Sequence, residues 1–315
     1  MNSFYKKIMQ SIIKILKNLK SYTVKKILII LSNILILKSR KFYNTYTLLE
    51  DAELKFFSQN GEDGIIDFLV KKLNLKKPSF VEIGIGDYSE ANTRFLYEMY
   101  YGKGLVVDIN KDLKKKVLSN VSLWRGNLNI LEKSVSSENI NEILSDNAKF
   151  EIDVFSIDID GVDYWILNEI KPKIAKIIVL EYNSIFGSEL EVTISNIKNF
   201  NRTNAHYSNL YYGASLKSYI KLMNKKGYYF LGVNRLRNNA FFISNDFSKN
   251  EFFPNIIEYS FADFTNSLVR ESRSEKGLLD YLSKKNRKNL IKDCYIIDLS
   301  NNKEEKKKLR DLSNE

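Results

Sequence analysis

The chain has 315 residues, 44% of them apolar, enough for one large core or for a core with appendages. One cysteine, Cys294, and one histidine, His206, exclude an internal disulfide framework and zinc sites built from such residues, and fit a reducing compartment. The net charge of +11 collects in residues 1–41, with nine lysines, one arginine and no acid; the remainder, at +1, is too neutral for a nucleic-acid groove.

Residues 1–41 read as a basic arm. From Phe4 to Leu19, Ile8, Ile12, Ile15, Leu16 and Leu19 recur at helical spacing, with Lys6, Lys7, Lys14, Lys17 and Lys20 on the other side. A second apolar block, Ile27 to Leu37, is interrupted by Ser32 and Asn33 and is too short to span a bilayer. Basic residues follow it where a signal peptide would have a cleavage site. Two readings stand: attachment to an anionic membrane surface, or a helix docked on the domain or on a second subunit.

Residues 42–57 form an entry segment rich in aromatic and leucine residues. Ser58-Gln-Asn-Gly-Glu-Asp63 is then a polar turn ahead of a helical pattern through Leu73. Ser58 or Asn60 suits its cap, and Glu62 or Asp63 its first turn; alternatively the turn touches a ligand. Phe80-Val-Glu-Ile-Gly-Ile-Gly-Asp87 reads as a buried strand ending in a tight glycine turn. A helix over 90–101 and the run Gly104-Leu-Val-Val-Asp108 follow. Strand, glycine turn, helix, strand and acid form the layout by which a Rossmann-like sheet holds an adenosine, with the acid on the ribose hydroxyls. The same pattern also serves as a plain structural turn.

Further strands are expected at 121–124, 154–159, 176–182, 228–233 and 240–244, and helices near 111–119, 139–146, 163–170, 190–200 and 214–226. This alternation predicts an α/β fold with a mostly parallel seven-stranded sheet, helices on both faces and a C-terminal antiparallel hairpin. The predicted organisation is an arm over 1–41, a Rossmann-like domain over 42–250 and an extension over 251–315 that ends in a charged tail.

The second constellation is Ser156-Ile-Asp-Ile-Asp-Gly-Val-Asp163. Asp163 suits a helix cap, whereas Asp158 and Asp160 alternate on a strand and need a partner, solvent or a ligand. Glu82, Asp108, Asp158, Asp160, Glu181 and Asn183 all fall at strand ends, where open parallel sheets place their ligand crevice. Such a rim suits hydroxyl binding, a general base or a hard cation such as Mg²⁺, with Asp158, Asp160 and Glu181 as candidate ligands.

With these residues laid out, the chain resembles the FkbM-type S-adenosylmethionine-dependent methyltransferases, in a bacterial branch associated with surface-polysaccharide gene clusters. The resemblance rests on SQNGEDG at 58–64, FVEIGIGD at 80–87, VVDIN at 106–110, SIDIDGVDYW at 156–165, EYN at 181–183 and YGASL at 212–216. It spans 58–244 and implies a seven-stranded methyltransferase sheet. Glu82, Gly84 and Gly86 would surround the methionine part of S-adenosyl-L-methionine, and Asp108 would hold its ribose. By position Asn127 would lie near the adenine, and Asp158 near the sulfonium or acceptor. The chain departs from the family pattern at Tyr88, where a third glycine is usual, and in the extra acids of SIDIDGVD.

The expected chemistry is attack of a hydroxyl oxygen on the activated methyl, with Asp160, then Asp158, then His206 as general base. Tyr211 and Tyr212 are candidates to stack on a sugar. The resemblance implies an acceptor that is a glycan or a nucleotide- or lipid-linked sugar; the single cysteine suits a cytoplasmic location, peripheral at the membrane if the arm attaches to it. The rival readings are a nicotinamide-dependent oxidoreductase, disfavoured because Ser89 replaces the third dinucleotide glycine, and a non-catalytic membrane-associated binding protein of the same fold.

Overall fold

The computed structural model describes residues 22–121, 126–257, 268–269, 271–301 and 303–312. In chain order the main elements are α1 (Tyr22–Arg40), α2 (Glu62–Lys72), β1 (Phe80–Ile83), α3 (Arg94–Tyr100) and β2 (Gly104–Asp108). Next come α4 (Leu113–Asn120), β3 (Leu128–Glu132), α5 (Ile140–Asn147), β4 (Ile152–Ile157), α6 (Asp163–Glu169) and β5 (Ala175–Glu181). The second half adds β6 (Val192–Thr193), α7 (Arg202–Ala205), α8 (Leu216–Lys225), β7 (Tyr228–Val233) and β8 (Asn239–Ser244).

Seven of these strands form one sheet in the order β3-β2-β1-β4-β5-β8-β7. β1, β2 and β3 are parallel, with Phe80 beside Gly104 and Gly104 beside Leu128. β8 is antiparallel to both β5 and β7, so the expected C-terminal hairpin is present. All four residues of β1 are buried, as are Ile177 to Leu180 in β5, because strands covered on both faces cannot alternate apolar with polar. The strand order reverses between β1 and β4; with right-handed crossovers, that reversal puts helices on both faces.

The chain divides into two compact units. The first takes the described residues up to Lys133, with Phe150–Ser156 and Asp246–Ile257. Within it α1 packs against α2 and α3 and buries Leu35 and Ile36. Its last residue, Arg40, clamps the fully buried Asp67 of α2 with bonds of 3.0 and 2.7 Å from Nε and Nη2. The Tyr43 and Tyr100 hydroxyls donate to the same carboxylate, so the buried charge has four donors. Saturation of this kind is what makes a buried ion tolerable.

The second unit takes Ser134–Lys149, Ile157–Asn245 and the described residues beyond 257. The expected helix over 190–200 is instead β6 and irregular chain. Val192 and Thr193 pair with β9 (Tyr295–Asp298), and Thr193 also bridges to Ala214. β-branched residues with available strand partners override a helical spacing of apolar residues. Part of the charged tail forms β10 (Glu305–Lys308), paired antiparallel to β9.

The third strand also differs from expectation. The stretch expected at 121–124 lies mostly outside the described residues, and the third strand of the sheet is β3, farther along the chain.

Candidate functional site

The glycine turn of the first unit continues the β1–β2 ladder by one bond, from the Gly84 amide to the Val107 carbonyl at 2.9 Å. Gly84 and Gly86 then adopt φ of 86° and 60°, which side chains with a Cβ rarely take. A Cβ built on Gly86 would meet nothing within 4 Å, so the backbone is open on that side. Asp108, at the end of β2, accepts from the Gly86 amide at 2.8 Å and the Asn110 amide at 2.9 Å. Each carboxylate oxygen keeps a second lone pair, and the side chain is only half-buried, so hydroxyl binding remains open to it.

Glu82 sits deeper. One carboxylate oxygen accepts from the Asn92 amide at 2.8 Å; the other takes the Thr93 amide at 2.8 Å and the Thr93 hydroxyl at 2.6 Å. Burial raises its proton affinity, and the Thr93 and Asn92 donors oppose the shift. The Asn92 and Thr93 amides, just ahead of α3, are therefore spent on Glu82. Tyr88, which stands where the family pattern has a third glycine, turns inward. At φ 62° its side chain is fully buried, with the hydroxyl 3.1 Å from Thr93 Oγ1.

The SQNGEDG segment supports this loop. Asp63 Oδ2 accepts from the amides of Phe56, Phe57 and Ser58 at 2.6, 2.7 and 2.9 Å, and Ser58 Oγ accepts from the Asp63 amide. The Phe57 carbonyl then takes the Ala91 amide at 3.1 Å, and the Arg94 guanidinium lies 4.9 Å from the Phe57 ring centroid. Gly64 is required because a Cβ there would come within 2.1 Å of the Ala52 carbonyl oxygen.

Asn127 is a correction. It precedes β3, and its carbonyl accepts from the Gly104 amide at the start of β2. That places it at the amino ends of the strands, opposite the glycine turn, because the true third strand begins after it. The structure gives it no position near an adenine bound beside Asp108.

In the second unit, carboxylate oxygens of Asp158, Asp160 and Glu181 lie within 4.8 Å of one another. Asp163 shapes the loop that carries two of them, accepting from the Ile159 and Gly161 amides at 2.9 and 3.0 Å. Asn183 donates to the Leu210 and Tyr212 carbonyls and so ties the Leu210–Tyr212 stretch beside the end of β5. Gly213 closes on Gly161 through a 2.9 Å bond, while a Cβ on Gly161 would come within 2.8 Å of Phe200 Cδ1.

The three acids are not equivalent. Asp160, exposed and at φ 55°, pairs with Arg202 Nη1. Arg202 in turn lies 3.7 Å from the Tyr212 ring centroid and donates from Nε to the Asn209 carbonyl. Asp158 accepts no hydrogen bond from the described residues. Burial, then the charges of Glu181 and Asp160, raise its proton affinity well above the ordinary range. Burial and the charge of Asp160 push Glu181 the same way, against a hydrogen bond from Asn238.

These positions alter the expected roles. Asp160, first choice as base, has one oxygen paired with a guanidinium; Asp158 and Glu181 are the carboxylates whose proton affinity is raised. His206 takes no part in the hydrogen bonds or ion pairs of the cluster. Its Nδ1 lies 2.7 Å from Ser208 Oγ, its ring packs at a tilt of 30° against Tyr207, and burial lowers its proton affinity. Tyr211 is spent on the Tyr295 carbonyl, and one face of Tyr212 is covered by Arg202. Three carboxylates would suit Mg²⁺ in number, but Arg202 already occupies Asp160 as the cluster's own cation. Arg202 went unremarked in the sequence, where only its place in the polar stretch that leads to His206 marked it.

No family model matches the chain, and no curated protein matches it. Among solved structures it is similar to an S-adenosylmethionine-dependent methyltransferase from Clostridium acetobutylicum, at 11% identity and a TM-score of 0.37, over 64% of this chain and 96% of that one. It is also similar to the pyocyanin biosynthetic protein PhzM, at 13% identity and a TM-score of 0.32, over 58% of each chain. A third is human N-acetylserotonin methyltransferase, whose structure contains SAM, at 12% identity and a TM-score of 0.32, over 58% of this chain and 55% of that one. The chain thus spans less than two thirds of the length of PhzM and of the human enzyme. Its own strand order, five strands around a β1–β4 reversal followed by an inserted antiparallel β8, is that of a Rossmann-like, seven-stranded methyltransferase sheet.

Proposed function

We propose that the protein is an S-adenosylmethionine-dependent methyltransferase acting on a hydroxyl oxygen of a sugar or glycan. The observation that carries the reading is the pair Asp158 and Glu181, two strand-end carboxylates with raised proton affinity and no guanidinium of their own. Crowding brings their titration toward neutral pH, so the ionised member of the pair suits removal of a proton from an attacking hydroxyl.

The bare backbone at Gly86 and the remaining lone pairs of Asp108 fit the ribose and its neighbours in the cofactor. S-adenosylmethionine, when bound, supplies an electrophilic methyl group. Asp108 orients the ribose, and Gly84 and Gly86 let the ligand approach the main chain. Asp158 and Glu181 share the task of taking the acceptor proton. The Arg202–Asp160 pair beside Tyr212 provides hydrogen-bonding groups for acceptor hydroxyls next to that base. A sugar acceptor, the FkbM-type branch and a place in surface-polysaccharide synthesis rest on the resemblance of the six sequence blocks.

Calorimetric titration with S-adenosylmethionine, its demethylated product and NAD⁺ tests the cofactor. Binding of the first two without NAD⁺ supports the reading; binding of NAD⁺ alone transfers it to an oxidoreductase. Methyl transfer to a panel of cell-surface oligosaccharides, set against small phenols and RNA, tests the acceptor class. Transfer only to phenols or RNA would remove the glycan.

A further inference from the structure

Helix α1 has two apolar faces. Leu35 and Ile36, with Ser32 and Ser39, are buried within the first unit. Ile27, Ile30, Ile34 and Leu37 follow at intervals of three and four residues along the opposite side, and are 39, 57, 41 and 57% exposed. A single exposed isoleucine is ordinary, whereas four aligned on one helix form a patch that needs an occupant.

We propose that the outer stripe of α1 seats the protein on an anionic membrane surface, with the helix lying along the interface. Charge selects this occupant. The first 41 residues carry ten basic side chains and no acid, and Lys38 is exposed on α1 itself. Basic residues beside an apolar helical stripe bind anionic lipid by electrostatic attraction and apolar insertion together. Docking against a second copy would bring two such basic segments together, and like charges oppose that association. No described helix is long and apolar enough to cross a membrane, which matches a helix lying in the interface. The clamp of Arg40 on Asp67 fixes α1 to the body, so the stripe is presented without further ordering cost. The inference stands apart from the methyl-transfer reading, since lipid binding is measured without cofactor or acceptor.

The test is flotation of the full chain with vesicles of phosphatidylcholine alone or mixed with phosphatidylglycerol, at low and high salt. The full chain is expected to float with the anionic vesicles, to lose binding as salt rises, and to ignore the neutral ones. Ile30 and Leu37 touch solvent most, so the double variant Ile30→Ser/Leu37→Ser should fold, as checked by circular dichroism, yet bind anionic vesicles roughly tenfold less or weaker. Failure of the full chain to float, or equal flotation of a folded double variant, would overturn the proposal. Sedimentation of the lipid-free chain supplies a second check. A dimer abolished by the double variant would assign the stripe to another copy and overturn it too.

Discussion

The two compact units use their carboxylates in opposite ways. In the first, the acids are surrounded by donors: Asp67 by one guanidinium and two phenols, Glu82 by two amides and a hydroxyl, and Asp108 by two amides. In the second, Asp158 and Glu181 lie beside other acids, and the nearby guanidinium of Arg202 is bonded to Asp160. Donors turn a buried charge into a fastening, whereas like charges leave it eager for a proton. The first arrangement serves structure and the shape of the glycine turn; the second is the one to which the proposed function assigns chemistry.

The largest effect expected from this contrast is on turnover. Asp158→Asn and Glu181→Gln, each folded, should lower methyl transfer by about 10²–10⁴-fold, the usual contribution of a positioned acid or base. Radiolabel transfer measures it, and full activity in both variants would move the base elsewhere. Stability should run the other way. Asp67→Asn strips the partner from Arg40 and should cost about 3–5 kcal/mol in urea unfolding, whereas Asp158→Asn should leave stability unchanged or raise it. Equal losses in the two variants would erase the distinction between fastening and reactive acids.

Asp108 tests the edge of the comparison, because it is both bonded and half-open. Asp108→Ala should weaken S-adenosylmethionine binding by about ten- to a hundredfold, matching about 1.5–3 kcal/mol for hydrogen bonds to a charged group. Unchanged affinity by calorimetry would confine Asp108 to holding the turn.

The smallest effect is in the pH dependence. Asp158 and Glu181 have raised proton affinity in the folded chain, so between the ordinary carboxylate value of about 4 and their raised values the folded state holds protons that the unfolded state has lost. Their contribution is complete below that ordinary value and disappears as pH rises through the folded values, with a slope of at most about 1.4 kcal/mol per pH unit for each proton. Unfolding in chelator across this range should show the decline, and Glu181→Gln should flatten it. A slope unaffected by Glu181→Gln would mean that the declining stability belongs to other acids.

The glycine turn, the flanking strands, the β7–β8 hairpin and the grouping of acids at strand ends were legible in the sequence, because buried strands and glycine turns leave local signatures. Local pattern failed where a partner far along the chain decides the outcome. Val192 and Thr193 read as helix until β9, about a hundred residues later, supplied a strand to pair with. Asn127 read as following a strand because the true strand starts one residue beyond it. Tyr88 read only as a departure from the family's third glycine, because its inward turn depends on Thr93 and the surrounding core.

The same boundary runs through the acids. Sequence alone determined which residue types lie at the ends of buried strands, since apolar runs and turn residues locate those ends. Only the tertiary structure decided that Glu82 is saturated, that Arg202 holds Asp160, and that Asp158 and Glu181 are left crowded. Proton affinity depends on charges and donors within a few ångströms, and residues as distant in sequence as Asp160 and Arg202 meet at that range only once the chain has folded.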